Sequence, residues 1–323
     1  MRTTMKTLAA AAAVALTAGA ADARTYRVGY NIYVGFMPYG WMAESGVLDK
    51  WAEKYGVDIE VILVNDYVGG INQFVAGDFS NGNDGVLSKT ATDVAGLKGE
   101  TVHLFELTVS HYLLSRALEE NGLSLRDVTT VNITDADIAP AWLGSDEIEH
   151  AVAWNPMLLE MANGLPGVNR IFDSASTPEE IVDVMMFRTE VVESDPDFVK
   201  AFVGAWYETM AIMNGGDAAA EAMIADLADA SGGSVEDYLA QLALTRMYYD
   251  PAEAYELLTS ERHKQTWDFV RKFSFEVGLF GEMAESEDFV GIAFPDGSVL
   301  GDPENVKLRI DASFTKMAVD GAL

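Results

Sequence analysis

The stretch Lys98–Pro156, KGETVHLFELTVSHYLLSRALEENGLSLRDVTTVNITDADIAPAWLGSDEIEHAVAWNP, decides the fold. Thr101 to Leu107 reads as a strand, and Ser110 stands where a helix begins, its apolar face Leu113, Leu114, Ala117 and Leu118 and its stop Gly122. Val128 to Ile133 reads as the next strand. Asp135 or Asp137 then caps a short helix with Pro140 tolerated in its first turn, and Ala151 to Trp154 is a third strand running into Asn155-Pro156. Strands and helices alternating in this way build a parallel sheet, whose strand-to-helix turns emerge on one edge. Small polar ligands bind along that edge.

Upstream, Tyr26 to Tyr30 alternates and is β-prone. The turn Tyr33-Val34-Gly35-Phe36-Met37-Pro38 leads from it into an amphipathic helix through Trp41, Met42 and Leu48. Asp58 to Val64 is a nearly continuous β-branched run suited to a covered strand, which completes a right-handed crossover unit. Gly69 to Ala76 looks helical, Gly77 to Gly85 is loop in composition, and Val86-Leu87 is a short strand. Downstream, Asp183 to Phe187 returns as a strand. Asp195-Pro196 then opens a helix with one face of Phe198, Ala201, Phe202, Ala205, Met210 and Met213, and further helices fit 217–230, 234–244, 251–258 and 262–277. The expected architecture is α/β with two lobes and a helical C-terminal section. Lobe one is 24–90 with 184–323, lobe two is 91–183, and the helices after 195 brace lobe one.

The chain has 323 residues, is 49% hydrophobic and carries 21 basic against 51 acidic residues, a formal net charge of −30. That charge argues against nucleic acid or an anionic membrane as partner. Residues 1–23 read as an export signal: Arg2 and Lys6 supply a positive start, Leu8 to Ala18 an apolar run too short to anchor, and Ala21-Asp22-Ala23 a small-x-small cleavage site. The expected product is periplasmic. With no cysteine there is no disulfide, thiolate metal site, thiol nucleophile or lipid-bearing N-terminal Cys.

Gly35-Phe36-Met37-Pro38, Leu97-Lys98-Gly99, Ser110-His111-Tyr112-Leu113-Leu114, Asp127-Val128, Asp135-Ala136-Asp137 and Trp154-Asn155-Pro156 together give a chain that resembles the periplasmic solute-binding proteins of ABC importers, in the nitrate/sulfonate/thiamine-precursor-like group. Within it, Gly82-Asn83-Asp84-Gly85, the Ser110 segment and Gly204-Ala205-Trp206-Tyr207-Glu208-Thr209-Met210 look like the branch labelled urea transporter substrate-binding proteins. The resemblance implies a two-lobed periplasmic-binding-protein fold of type II, a monomer that needs no cofactor, and a small-molecule ligand delivered to a membrane permease. One departure stands out. That branch has a strand, a helix and a strand between the positions matching Gly77 and Asp78, which are adjacent here; such a unit takes at least about 30 residues, so lobe one is shortened and expected to be less stable.

A site between lobes needs aromatic walls and a few fixed polar groups. Tyr33, Tyr39 and Trp41 follow the first strand, and Trp154 and Asn155 end a strand of lobe two; core packing is the competing role for each aromatic. Ser110 either caps its helix, holds a ligand oxygen beside the free N–H groups, or does both. Glu106, Asp135, Asp137 and Asp183 lie near strand ends, where a carboxylate accepts N–H bonds or simply decorates a turn. No Lys or Arg stands in those turns, so nitrate or a sulfonate fits less well than urea, an amide or guanidinium, and the last three remain open. Nucleophile-elbow, zinc-protease and phosphate-loop motifs are absent and the four histidines are scattered, so no enzyme is expected. A binding protein that no longer closes on ligand is the remaining rival.

Overall fold

The computed structural model describes residues 25–64, 79–80 and 82–323. The export signal expected over residues 1–23, the helix expected over Gly69–Ala76 and the Gly77–Asp78 junction lie outside the described residues.

Strand β1 (Thr25–Tyr30) buries Tyr26 and Val28 and exposes Thr25 and Arg27, as a period of two requires. It pairs in parallel with β2 (Asp58–Leu63), Thr25 opposite Asp58 through Tyr30 opposite Leu63. The connecting helix expected as one piece is two, α1 (Met37–Glu44) and α2 (Val47–Tyr55). The break is at Gly46, whose φ of 83° is a left-handed conformation open to glycine at little cost.

The second sheet holds β4 (Asp84–Ser88), β5 (Thr101–Leu104), β6 (Thr129–Asn132), β7 (His150–Trp154) and β8 (Asn169–Asp173) in the order β6-β5-β7-β4-β8. β5 runs parallel to β6 and β7, whereas β4 is antiparallel to both β7 and β8. Every residue of β4 and β7 is buried, because the sheet is covered on both faces. Val86 and Val152 point into one core with Leu113, Leu114 and Leu118 of α3 (Val109–Glu120). Leu87, Ala151 and Ala153 point into the other, with Trp142 of α4 (Asp135–Gly144) and Leu158 and Met161 of α5 (Met157–Gly164).

Three expectations change here. The strand from Thr101 ends at Leu104 because the chain turns at once, with Leu107 at φ 63°. β8 carries no sequence signature: in Asn-Arg-Ile-Phe-Asp only Ile171 and Phe172 are apolar, and the strand is only partly covered. Asp183–Phe187 is not a strand, since among the described residues the sheet containing β1 has two members and supplies it with no ladder.

The C-terminal section contains α6 (Thr189–Ser194), α7 (Pro196–Met213), α8 (Ala218–Ala230), α9 (Val235–Leu242), α10 (Pro251–Thr259), α11 (Glu261–Glu276) and α12 (Ser313–Val319). Phe198, Phe202, Trp206 and Met210 of α7 form one core with Tyr26, Tyr39 and Met42, and Gly204 lets the helix close on the Trp51 ring of α2. Two segments assigned by sequence to lobe one contribute to the other sheet. β4 enters it through pairing with β7, and α11 places Phe273 against His111 and Tyr112 on its core, so the helical section spans both cores. Two short ladders complete the described strands: β3 (Phe79–Ser80) with β9 (Thr245–Arg246), and β10 (Gly291–Ala293) between β11 (Val299–Leu300) and β12 (Val306–Arg309).

Candidate functional site

The end of β1, the start of β4, the end of β7 and β9 meet where the body of β1 and α7 adjoins the five-stranded sheet. Each delivers one polar side chain: Tyr33, Asn83, Asn155 and Thr245. Asn83 and Asn155 are fully buried. The Asn155 amide Nδ2 donates to Asn83 Oδ1 at 2.6 Å, and Asn83 Nδ2 donates to Tyr33 Oη at 3.3 Å and to Thr245 Oγ1. Thr245 has a single hydroxyl proton and gives it to the Gln241 carbonyl at 3.0 Å, so its oxygen faces Asn83 as an acceptor. This fixes which way each amide points, a choice that amide shape alone leaves open. The consequence falls on Asn155: its Oδ1 is buried and has no partner among the described residues. An acceptor left in that condition costs about 1–3 kcal/mol, a cost that a ligand N–H would remove.

The segment before β4 is held from the other side as well. Ser174 Oγ, just past β8, accepts from Gly82 N at 2.7 Å and Asp84 N at 3.4 Å, and Arg170 donates to the Gly82 carbonyl at 2.9 Å. Asp84 is paired in the ladder with Trp154, which puts the Trp154 ring at the same strand end.

Beside this network lies a cavity of about 370 Å³. Ile32, Tyr33 and Val34 form one wall, Pro156 with Leu159, Glu160 and Asn163 of α5 a second, and the 231–233 turn with Asp237, Tyr238 and Gln241 of α9 a third. Its described lining contains two carboxylates and no Lys or Arg. Asp237 is engaged by the Ser234 hydroxyl at 2.5 Å, and Tyr238 Oη donates to the Val34 carbonyl at 2.8 Å.

Ser110 lies within α3, and it is Thr108 that caps this helix, accepting from Ser110 N at 3.3 Å. Sequence favoured Ser110 for the cap; the φ 63° turn at Leu107 shifts the helix start and frees its side chain. Ser110 is fully buried and its Oγ, like Asn155 Oδ1, has no partner among the described residues. The neighbouring His111 is held below its ordinary pKa by burial, which Glu106 partly offsets.

The remaining predicted residues lie elsewhere. Tyr39 is fully buried and stacks on Trp206 at 4.7 Å and Phe202 at 5.6 Å, a core position. Trp41 faces α8, donating to Asp226 at 3.2 Å. Glu106 accepts from Thr130 on β6 at 2.6 Å. Asp135 and Asp137 serve the start of α4: Asp135 Oδ1 accepts from Ala136 N at 3.0 Å and Asp137 Oδ2 from the Thr134 hydroxyl at 2.8 Å. Asp183 opens instead on a larger, mainly apolar cavity of about 630 Å³ between α7, α10 and β12. Burial, and secondarily Asp84, push its carboxyl well above the usual range.

Asn83 and Thr245 were absent from the predicted site. An Asn in a Gly-Asn-Asp-Gly turn reads as loop decoration, and nothing local marks Thr245, which reaches the site only because β9 pairs with β3. Among the described residues no group of three or more His, Asp or Glu could hold a metal ion, and no helix is long and apolar enough to cross a membrane.

Residues 85–219 match the NMT1/THI5-like family. That span runs from β4 through the five-stranded sheet to the start of α8. No curated protein sequence matches the chain. Among solved structures, the alkanesulfonate-binding protein SsuA from Xanthomonas axonopodis pv. citri, bound to MOPS, superimposes with a TM-score of 0.60 at 15% identity, covering 81% of this chain and 96% of its own. The periplasmic nitrate-binding protein NrtA from Synechocystis PCC 6803 gives 0.53 at 15% identity over 94% of this chain and 99% of its own. The desulfurization enzyme DszB gives 0.51 at 14% identity over 79% and 92%. These likenesses establish the fold, that of the two-lobed periplasmic binding proteins.

Proposed function

We propose that this protein is the periplasmic substrate-binding component of an ABC importer and takes a small nitrogenous solute, urea or a related amide or amidine, between its lobes. The observation that carries the ligand class is the Asn155 carbonyl oxygen, a buried acceptor whose orientation is fixed and whose lone pairs are unused among the described residues. It calls for an N–H donor. Oxyanions such as nitrate and sulfonate offer only acceptors and are recognised through Arg, Lys or convergent N–H groups, and the adjoining cavity lining has neither cation. Glu160 and Asp237 on that lining favour a neutral or cationic guest.

Transport in place of chemistry is supported by the SsuA and NrtA likeness and by the NMT1/THI5-like match; DszB shows that the same fold also serves an enzyme. In this reading the body built on β1 and β2 and the body built on the five-stranded sheet, β4 included, move as lobes about the chain crossings just before β4 and at Thr177–Asp183, and the monomer presents its closed form to a permease. Asn155 is covered in the present arrangement, so the guest reaches it when the lobes part.

The test is isothermal titration of the mature protein with urea, guanidinium chloride, formamide, nitrate, taurine and bicarbonate. Saturable heat with one of the first three, without turnover, is the expected outcome. Binding of nitrate or taurine alone would overturn the ligand class, and turnover of a bound solute would overturn the transport reading.

A further inference from the structure

We infer that Thr245, acting through Asn83, sets the hydrogen-bonding polarity of the binding site and thereby its preference for N–H donors over oxyanions. The inference rests on the site proposed above and adds a specificity-determining residue that contacts no ligand. The chain of causes is short. The carbonyl of Gln241 already accepts the Leu244 N–H at the end of α9, and the Thr245 hydroxyl donates to it as well, at 3.0 Å. The Thr245 oxygen therefore accepts, Asn83 turns its Nδ2 toward it, and Asn83 Oδ1 turns toward Asn155. Asn155 must answer with Nδ2, which leaves its Oδ1 as the free atom.

Tyr33 holds the same amide group less firmly, since its contact with Asn83 Nδ2, at 3.3 Å, is the longer of the two that this group makes. Remove the Thr245 hydroxyl, and the contact that most separates the two arrangements of the Asn83–Asn155 pair is lost. In the flipped arrangement Asn83 Nδ2 donates to Asn155 Oδ1 and the free group becomes Asn155 Nδ2, a donor suited to nitrate. One residue on a two-residue strand, outside the five-stranded sheet, thus decides whether the site offers an oxygen or an N–H.

The experiment compares wild type with Thr245→Val, Thr245→Ala and Thr245→Ser, using selectively 15N-asparagine-labelled protein and titrations with urea, guanidinium chloride and sodium nitrate. In wild type and Thr245→Ser the Asn83 amide protons are expected to show Overhauser contacts to residue 245 and the Tyr33 ring. In the two variants lacking the hydroxyl a second set of amide signals should appear, and the preference for the N–H donor over nitrate should fall about fivefold to tenfold, the factor that one hydrogen bond of net worth represents. A single unchanged set of amide signals in both Val and Ala variants would overturn the inference. So would equal loss of preference in Thr245→Ser. If wild type binds none of the three solutes, the functional reading fails, whereas the amide signals still decide the polarity relay on their own.

Discussion

Asn83 and Asn155 are joined twice: the Asn155 backbone N–H donates to the Asn83 carbonyl at 2.8 Å, and its side chain donates to Asn83 Oδ1 at 2.6 Å. One link extends the β4–β7 ladder beyond its last pair, and the other fixes a side chain at the sheet edge where the ligand is expected. The crossover into the five-stranded sheet and the candidate site are therefore the same piece of structure.

Asn155→Ala should reveal this double role. It strands Asn83 Oδ1, fully buried, without its donor, for a loss of about 1–3 kcal/mol of stability, and it removes the free acceptor. Calorimetric melting should show the first effect, and titration with the solute that wild type binds should show at least a tenfold weaker complex. An unchanged dissociation constant would exclude Asn155 from the site.

Glu180 in the return crossover is nearly buried, accepts from Arg116 at 2.7 Å and from Tyr112 Oη at 3.0 Å, and so ties that crossover to α3. Arg116→Ala leaves a buried carboxylate without its cation, and breaking such a pair from one side costs about 3–5 kcal/mol. Denaturation midpoints of Arg116→Ala and of the double variant Arg116→Ala/Glu180→Leu should separate the effects, with the double variant recovering much of the loss. A loss below about 1 kcal/mol in the single variant would show a pair screened as on a surface.

His263 is buried, accepts from Trp267 Nε1 at 2.9 Å, and is held down to about 4 by burial. Below its ordinary value of 6.5 the unfolded chain takes up a proton that the folded chain refuses, so stability is retained above pH 6.5 and lost as pH falls toward 4. The full loss from this group is about 3 kcal/mol at the linkage rate per pH unit. His263→Gln should flatten the melting temperature between pH 6.5 and 4; an equally steep decline in the variant would assign the acid sensitivity to other groups.

Asp183 has the opposite sign. Its accessible surface faces a cavity with mainly apolar walls, and burial together with Asp84 raises its pKa well above 3.8. For a carboxyl raised on folding, the unfolded chain releases its proton first as pH rises through 3.8, and stability falls until the folded group ionises too. Asp183→Asn keeps the shape without that penalty, so its melting temperature at pH 7 should exceed that of wild type, with the gap closing toward pH 4. A less stable variant at pH 7 would mean that the carboxylate is ionised and partnered.

Local chemistry carried much of the architecture. The apolar periods of Leu113, Leu114, Ala117 and Leu118 and of Phe198, Phe202 and Met210 placed α3 and α7, because a helix must bury one face and its sequence records which. The runs through Val86-Leu87 and Ala151–Trp154 marked the central strands, because both of their faces are covered. Exposure to neighbours far along the chain is not recorded in this way. β8 was invisible for want of a pattern, and Asp183–Phe187 has strand composition without a ladder to join.

The site divides along the same line. Tyr33, Trp154 and Asn155 were legible as residues ending strands, since a strand that stops at a sheet edge must present its last side chains there. Tyr39 and Trp41 had the same local credentials yet face Trp206 and Asp226, because the direction of a helix side chain depends on what packs against it. The expectation of export, the acidic cysteine-free composition and an α/β body follow from composition and short-range pattern alone. The orientation of the Asn155 amide, and with it the kind of guest proposed for the site, arises only when Thr245, 90 residues further along the chain, is folded against Asn83, for hydrogen bonds between distant residues leave no trace in local sequence.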